Sequence, residues 1–188
     1  MNAILPITVP ERAKLRAQDF MVLADAGAFD RYAKSELIEG EIWVMNAVHS
    51  WHAKTMAKLG IALGAALKQA HSDLELYMPV SIAMSGDSVP EPDLAVAEDN
   101  EDGLLPLAKV RLAIEVSDTS LAVDLGGKAM LYARHGVPEY WVVDRDGARI
   151  VQHWRPGANG YAQQRIATSG ELIAAKTIVG LSVDTTGI

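Results

Sequence analysis

The run 112-LAIEVS-117 constrains the fold more than any other stretch, because a glutamate stands in the middle of a strand-like apolar segment. Side chains alternate across a strand, so Glu115 and Ser117 share one face while Val116 points to the other. A buried carboxylate is costly unless it is paired, hydrogen-bonded or bound to a metal. Glu115 therefore predicts a partner elsewhere in the chain.

A second carboxylate, Asp93, opens the apolar segment 93-DLAVAE-98. Taken alone, Asp93 is more typical of an ordinary strand entry after a proline. If this strand and that of Glu115 are neighbours, however, two carboxylates converge on one point. Hard divalent cations such as Mg²⁺ and Mn²⁺ prefer carboxylate oxygens, and they activate water and neutralise charge on a phosphate. The pair therefore predicts a metal site.

The composition indicates an ordinary globular protein, with 49% hydrophobic and 22% charged residues. Its 188 residues predict a single domain, 1–188, that begins with a basic N-terminal arm over 1–16. The absence of cysteine excludes disulfides, thiolate metal sites and a cysteine nucleophile. Without a signal-peptide core or a bilayer-length apolar run, we expect a soluble cytoplasmic protein that has no contact with a membrane.

The formal net charge of −7 bears on the choice of partner. A protein that coats nucleic acid through bulk electrostatics needs clustered lysine and arginine, which an acidic balance argues against. An enzyme that binds phosphates through bound cations and a local strip of basic residues is still compatible with this net charge.

The pattern of apolar residues predicts an α/β (α+β) fold, in which a mixed sheet is covered by two main helices. The last apolar segment, 171–183, is equally compatible with a strand that closes the core and with an interface between subunits. The predicted helices are 17–27, Ser50 (as N-cap) to about Ala70, and 120–135 ending at Gly136; the predicted strands are a hairpin over 36–45, then 74–84, 93–98, 110–117, 139–144, 149–155 and 160–166.

Asp93 and Glu115 match the two acidic positions of the PD-(D/E)XK nuclease pattern, which has an aspartate on one strand and Glu-x-Lys on the next. Ser117 stands where that lysine is expected, and Lys128 lies on the following predicted helix, from which its ammonium can reach back. Asp124 and Lys128 also have the i, i+4 spacing of an ordinary helix-surface ion pair. The preceding Gly126 and Gly127 are unfavourable inside a helix and predict a late helix start or a close backbone approach.

Several further sequence motifs, taken together, make the resemblance to one nuclease family specific. The chain resembles the bacterial family known as putative restriction endonucleases, a branch of the PD-(D/E)XK superfamily, over about residues 30–165. That resemblance implies a restriction-endonuclease-like fold, a divalent-metal site and a helix-borne lysine. The residues that carry it are 36-ELIEGEIW-43, His52, 92-PDLAV-96, 114-IEVSDTS-120, Asp124 with Lys128, and 132-YARHGVPEYWVVD-144.

By this resemblance, Asp93 and Glu115 are the metal ligands, and Lys128 orients the attacking water or stabilises the developing charge. Glu39 and Glu41 are expected either to add a carboxylate or to be exposed residues of a hairpin turn. His52 is a further candidate, for a role beside the ligands or facing the phosphate; with His49 it makes too small a set for zinc. Ser117 and Asp124 complete the candidates.

The function expected from these features is metal-dependent hydrolysis of DNA phosphodiester bonds with Mg²⁺ or Mn²⁺ as cofactor. DNA is the expected partner, through local contacts, and a homodimer is expected from related nuclease folds. Two alternatives stay open. One is a catalytically inactive DNA-binding or protein-interaction module on a nuclease-like scaffold, and the other is a metallohydrolase acting on a small phosphate ester.

Overall fold

A six-stranded mixed sheet forms the centre of the protein, whose computed structural model describes residues 12–46 and 49–188. Of the predicted arm, residues 1–11 lie outside the described residues. In sheet order the strands are β10 (Gln163–Thr168), β9 (Arg149–Trp154), β8 (Glu139–Asp144), β7 (Val110–Ser117), β5 (Leu94–Ala97) and β3 (Glu75–Tyr77). Strands β7 and β8 run parallel, and every other neighbouring pair in the sheet is antiparallel.

A crossover helix connects the parallel strands β7 and β8, as a parallel pair requires. It consists of α3 (Leu121–Val123), a π-helical segment (Asp124–Lys128) and α4 (Ala129–Arg134). The long helix α2 (Ser50–Gln69) lies on the other face of the sheet. These helices confirm the expected fold class, a mixed sheet flanked by helices.

The alternation predicted for β7 separates two hydrophobic cores. Leu112, Ile114 and Val116 pack with α2, whereas Ala113 packs with the crossover helix. Tyr132 of the crossover helix is fully buried in the second core. Glu115 therefore faces the crossover helix, as the period of two requires.

A hairpin of β1 (Lys34–Ile38) and β2 (Glu41–Met45) forms a separate two-stranded sheet. Its turn residues Glu39 and Gly40 have φ angles of 50° and 81°, as a tight hairpin turn demands. Two backbone hydrogen bonds between Leu37 and Val89 attach β1 to the rest of the protein. Helix α1 (Ala17–Asp25) covers the junction, where Phe20 packs on those two residues.

The C-terminal segment folds back as a hairpin of β11 (Leu172–Ala174) and β12 (Ser182–Asp184). Ile173 and Val183 are fully buried in the core beside α2. The apolar segment 171–183 therefore closes the core of its own chain, which accounts for its pattern. The expected homodimer stays a prediction.

Three boundary predictions were wrong. Residues 74–84 do not form one strand, because β3 ends before Pro79, which has no N–H to donate, and β4 (Ile82–Ala83) pairs instead with β6 (Leu105–Pro106). Ser50 does not cap α2, since His49 takes the N-cap position without a side-chain hydrogen bond. The strand expected over 160–166 is β10, displaced to 163–168.

No helix in the described ranges, 12–46 and 49–188, is long and apolar enough to cross a membrane.

Candidate active site

A cavity of about 260 Å³ lies where the start of β5 meets the end of β7. Because these strands are antiparallel, the first residue of one lies beside the last residues of the other. The N-terminus of α2, the hairpin strand β1 and the crossover helix complete the walls. Among the lining residues are Lys34, His52, Asp93, Glu115, Asp124 and Lys128.

Asp93 is buried and held from three directions. Its Oδ2 accepts a hydrogen bond from the Val116 amide at 2.8 Å, and His52 Nε2 lies 3.6 Å from the same oxygen. Lys34 Nζ lies 3.3 Å from Oδ1. Burial opposes ionisation of Asp93, but His52, Lys34 and the Val116 amide outweigh it and lower its pKa to about 2. Asp93 is therefore ionised at neutral pH, and its side chain is held in place by these three contacts.

Glu115 has a different environment, although it faces the same cavity. Its Oε1 accepts hydrogen bonds from Lys128 Nζ at 2.8 Å and from the Tyr132 hydroxyl at 3.4 Å. Its Oε2 lies 3.7 Å from Lys34 Nζ. Burial raises the pKa of Glu115 to about 7, against the opposing effect of the two ammonium groups. Glu115 can therefore exchange a proton near neutral pH.

Lys128 is a buried ammonium held between two carboxylates. Its Nζ donates to Glu115 at 2.8 Å and to Glu36 at 2.9 Å. Burial lowers the pKa of Lys128, but Glu115, Glu36 and Asp124 outweigh that effect and raise it above its ordinary value. Lys128 is therefore charged, and it faces the acids from the helix that follows β7.

The two glycines before Lys128 belong to the π-helical segment. Both alternatives expected for them were wrong, because the helix begins earlier, at Leu121, and a Cβ at Gly126 or Gly127 would meet no atom beyond the neighbouring helix backbone within 4 Å. A π-helical turn inserts an extra residue into the helix and changes the direction in which the following side chains point. This turn brings Lys128 to the cavity.

Ser117 and Asp124 interact with each other, and Asp124 lines the cavity. Asp124 accepts hydrogen bonds from the hydroxyls of Ser117 and Ser120. Asp124 and Lys128 are both buried, so the alternative of a helix-surface ion pair does not hold. The serine at the usual lysine position thus fixes the start of the crossover helix.

Two residues of the site were missed by sequence reasoning, Lys34 and Glu36 on β1. Glu36 accepts a hydrogen bond from the Glu91 amide at 2.7 Å in addition to its contact with Lys128. The signal was available, because Glu36 is a charged residue directly before Leu37 and Ile38 in a strand. Alternation also places Lys34 and Glu36 on one face.

The other hairpin carboxylates lie outside the cavity. Glu39 is exposed in the turn, 3.3 Å from Arg134. Glu41 is exposed on β2, 3.7 Å from Lys14. Of the three glutamates in the motif 36-ELIEGEIW-43, Glu36 is thus the one that reaches the acidic cluster.

The donor set suits a hard, hydrated cation. Asp93 and Glu115 already share one positive group, the Lys34 ammonium, so an oxygen of each carboxylate faces a common point. Within residues 12–46 and 49–188, no group of three or more histidine, aspartate or glutamate side chains is arranged to hold a metal. Mg²⁺ needs only one or two protein carboxylates because it keeps several waters, whereas a structural zinc site needs four ligands.

Comparisons with known proteins agree with this architecture. A crystal structure from Anabaena variabilis, described as "a putative nuclease belonging to DUF820", matches with a TM-score of 0.60 and 17% identity, over 75% of this chain and 80% of that one. No curated protein matches. The model of the Uma2 family, described as "Putative restriction endonuclease", matches residues 17–186. The chain therefore belongs to the Uma2 family, whose description is that of a nuclease.

Proposed function

We propose that this protein is a nuclease that hydrolyses DNA phosphodiester bonds with a divalent cation, Mg²⁺ or Mn²⁺. One observation carries the proposal: Asp93 and Glu115, from neighbouring strands, share a cavity with the ammonium of Lys128. Family membership supports the nuclease class, and DNA is the substrate that the family description implies.

Asp93 and Glu115 would hold the cation. When bound, such a cation activates water for attack and offsets the charge that builds on the phosphate. The Val116 amide and His52 keep the Asp93 carboxylate oriented and ionised. Glu115 gives up its proton when a cation binds, because metal ligands must be deprotonated.

Lys128 supplies positive charge where the phosphate would react. An ammonium has three N–H donors, and Glu36 and Glu115 use two of them. Lys128 also lines the cavity, so the same ammonium would face a phosphate oxygen or the attacking water there. A preorganised charge in a site that excludes water stabilises a transition state more than the same charge in bulk water.

Glu36 acts through Lys128. It accepts hydrogen bonds from the ammonium and from the Glu91 amide, which ties the lysine to the segment before β5. This contact orients an otherwise flexible four-carbon side chain toward the cavity.

The test is cleavage of plasmid DNA in Mg²⁺ or Mn²⁺ by the variants Asp93→Asn and Glu115→Gln. Each is expected to lose roughly 100- to 1,000-fold in rate, comparable to removal of a group that stabilises the transition state directly. Glu98→Gln is the matched control, because Glu98 is a partly exposed carboxylate paired with Arg111. Unchanged cleavage in both site variants would reject the proposal.

The alternative of an inactive module is favoured by the serine at the strand-lysine position and by the net charge of −7. Thermal melting with and without millimolar Mn²⁺ separates the two. A rise in melting temperature that Glu115→Gln abolishes indicates a specific metal site, since a ligand that binds only the folded state stabilises it. No rise indicates the module.

A further inference from the structure

We propose that Lys34 is an internal cation that competes with the divalent metal for Asp93 and Glu115. The inference rests on the proposed function, because it assumes that these two carboxylates are metal ligands. It assigns Lys34 a regulatory position in the site: the ammonium holds the acids together until a metal takes its place.

The geometry gives the Lys34 ammonium the place between the two acids. Its Nζ lies 3.3 Å from Asp93 Oδ1 and 3.7 Å from Glu115 Oε2. The side chain is 13% exposed, so water screens these contacts poorly. A metal ion bound by Asp93 and Glu115 requires the same oxygens, and the two cations exclude each other.

Lys128 provides a contrast within the same cluster. It has an anchor that is not a proposed metal ligand, Glu36, and both of its contacts are 2.8 to 2.9 Å long. The ion-pair partners of Lys34 within the described ranges, Asp93 and Glu115, are both proposed ligands, and its contacts with them are longer. Lys34 is therefore the ammonium that can be displaced, and Lys128 is the one that stays.

Electrostatic repulsion means that the Lys34 ammonium weakens metal binding. A like charge close by disfavours a charged group, and a divalent ion, which carries two charges, is repelled by the ammonium more strongly than a proton is. Metal entry must therefore move Lys34. The displaced ammonium has a flexible four-carbon stem and lines the cavity, where a substrate phosphate offers new acceptors.

The first test uses Lys34→Met, with binding of Mg²⁺ and Mn²⁺ measured by calorimetry without DNA. The variant is expected to bind metal about ten-fold more tightly or better, and to melt at a lower temperature than wild type in a chelator. Lys54→Met, at an exposed position of α2, controls for the loss of one positive charge. Unchanged or weaker metal affinity in Lys34→Met overturns the inference.

The second test uses the wild-type protein, so it does not depend on the folding of a variant. Lysine acylation is followed by mass spectrometry with and without Mg²⁺. Labelling of Lys34 is expected to rise several-fold with metal, while labelling of Lys128 stays constant. Constant or reduced labelling of Lys34 overturns the inference.

The failures of the inference and of the proposed function are distinguishable. If wild type binds metal, and Asp93→Asn does not, but Lys34→Met behaves as wild type, only the competition is wrong. If wild type binds no metal that depends on Asp93, both the competition and the metal-dependent nuclease are wrong.

Discussion

Two glutamates on adjacent strands of the sheet are equally buried but have opposite surroundings. Glu139 on β8 accepts hydrogen bonds from the Trp141 indole at 2.6 Å and from the Lys176 and Thr177 amides at 2.7 and 2.8 Å. Glu115 on β7 faces the other side of the sheet, where it meets the ammonium of Lys128. Glu139 is enclosed by neutral donors, and Glu115 lines a cavity.

The comparison shows that burial of a carboxylate does not by itself mark a functional site. Both oxygens of the Glu139 carboxylate accept hydrogen bonds, and those from Lys176 and Thr177 join the C-terminal segment to the central sheet. The carboxylate of Glu115 contacts two ammonium groups, Lys128 and Lys34, and it shares Lys34 with Asp93. The same residue type therefore joins two parts of the fold in one place and lines the candidate active site in the other.

The same substitution at both positions tests this contrast. Glu139→Gln is expected to lower the free energy of unfolding by about 3 kcal/mol, since it places an amide donor against buried donors. At pH 5, Glu115→Gln is expected to change it by less than about 1 kcal/mol, because burial already favours the neutral form. Chemical denaturation in a chelator measures both. Equal losses at the two positions would break the comparison.

The pH dependence of Glu115 sharpens the contrast further. Burial raises its folded pKa from 4.5 to about 7, so the folded protein keeps a proton that the unfolded chain releases between these values. The resulting stabilisation is full below about pH 4.5 and is lost as pH rises through 7. Between pH 5 and 8, wild type is expected to lose on the order of 2 to 3 kcal/mol relative to Glu115→Gln. Denaturation curves that stay parallel across this range would contradict the assignment.

A substitution of Glu36 tests whether the Lys128 ammonium needs its hydrogen bond to this carboxylate. Glu36→Gln is expected to reduce DNA cleavage about 10- to 100-fold, the usual effect of losing a residue that orients an active group. Metal affinity measured by calorimetry is expected to change less than about three-fold, because Glu36 is not a proposed ligand. A change in metal affinity as large as the change in rate would make Glu36 a ligand instead.

The smallest effects are expected at the exposed hairpin carboxylates. Glu39→Gln and Glu41→Gln each remove one surface ion pair, which is worth at most about 1 kcal/mol. Cleavage rates are expected to stay within about two-fold of wild type. A large loss of rate without loss of stability would indicate that the turn contacts DNA.

Sequence reasoning was strongest where the period of the pattern was clear. It predicted β7 and β8 with their observed bounds, and the face on which Glu115 lies. It was weakest where contacts between distant residues decide the outcome. Glu36 and Glu39 stand three positions apart in one motif, and only the fold of the hairpin puts the first inside and the second in the exposed turn.

The sequence by itself determined the class of fold and the presence of buried acids in apolar strands, because alternation and helical periodicity are local properties of the chain. The tertiary structure decided which acids meet. The antiparallel pairing of β5 and β7 joins Asp93 to Glu115, the π-helical turn aims Lys128, and the hairpin adds Lys34. Charges so far apart along the chain interact only after folding has brought them within a few ångströms. Burial then strengthens the attraction between opposite charges, because less water screens them.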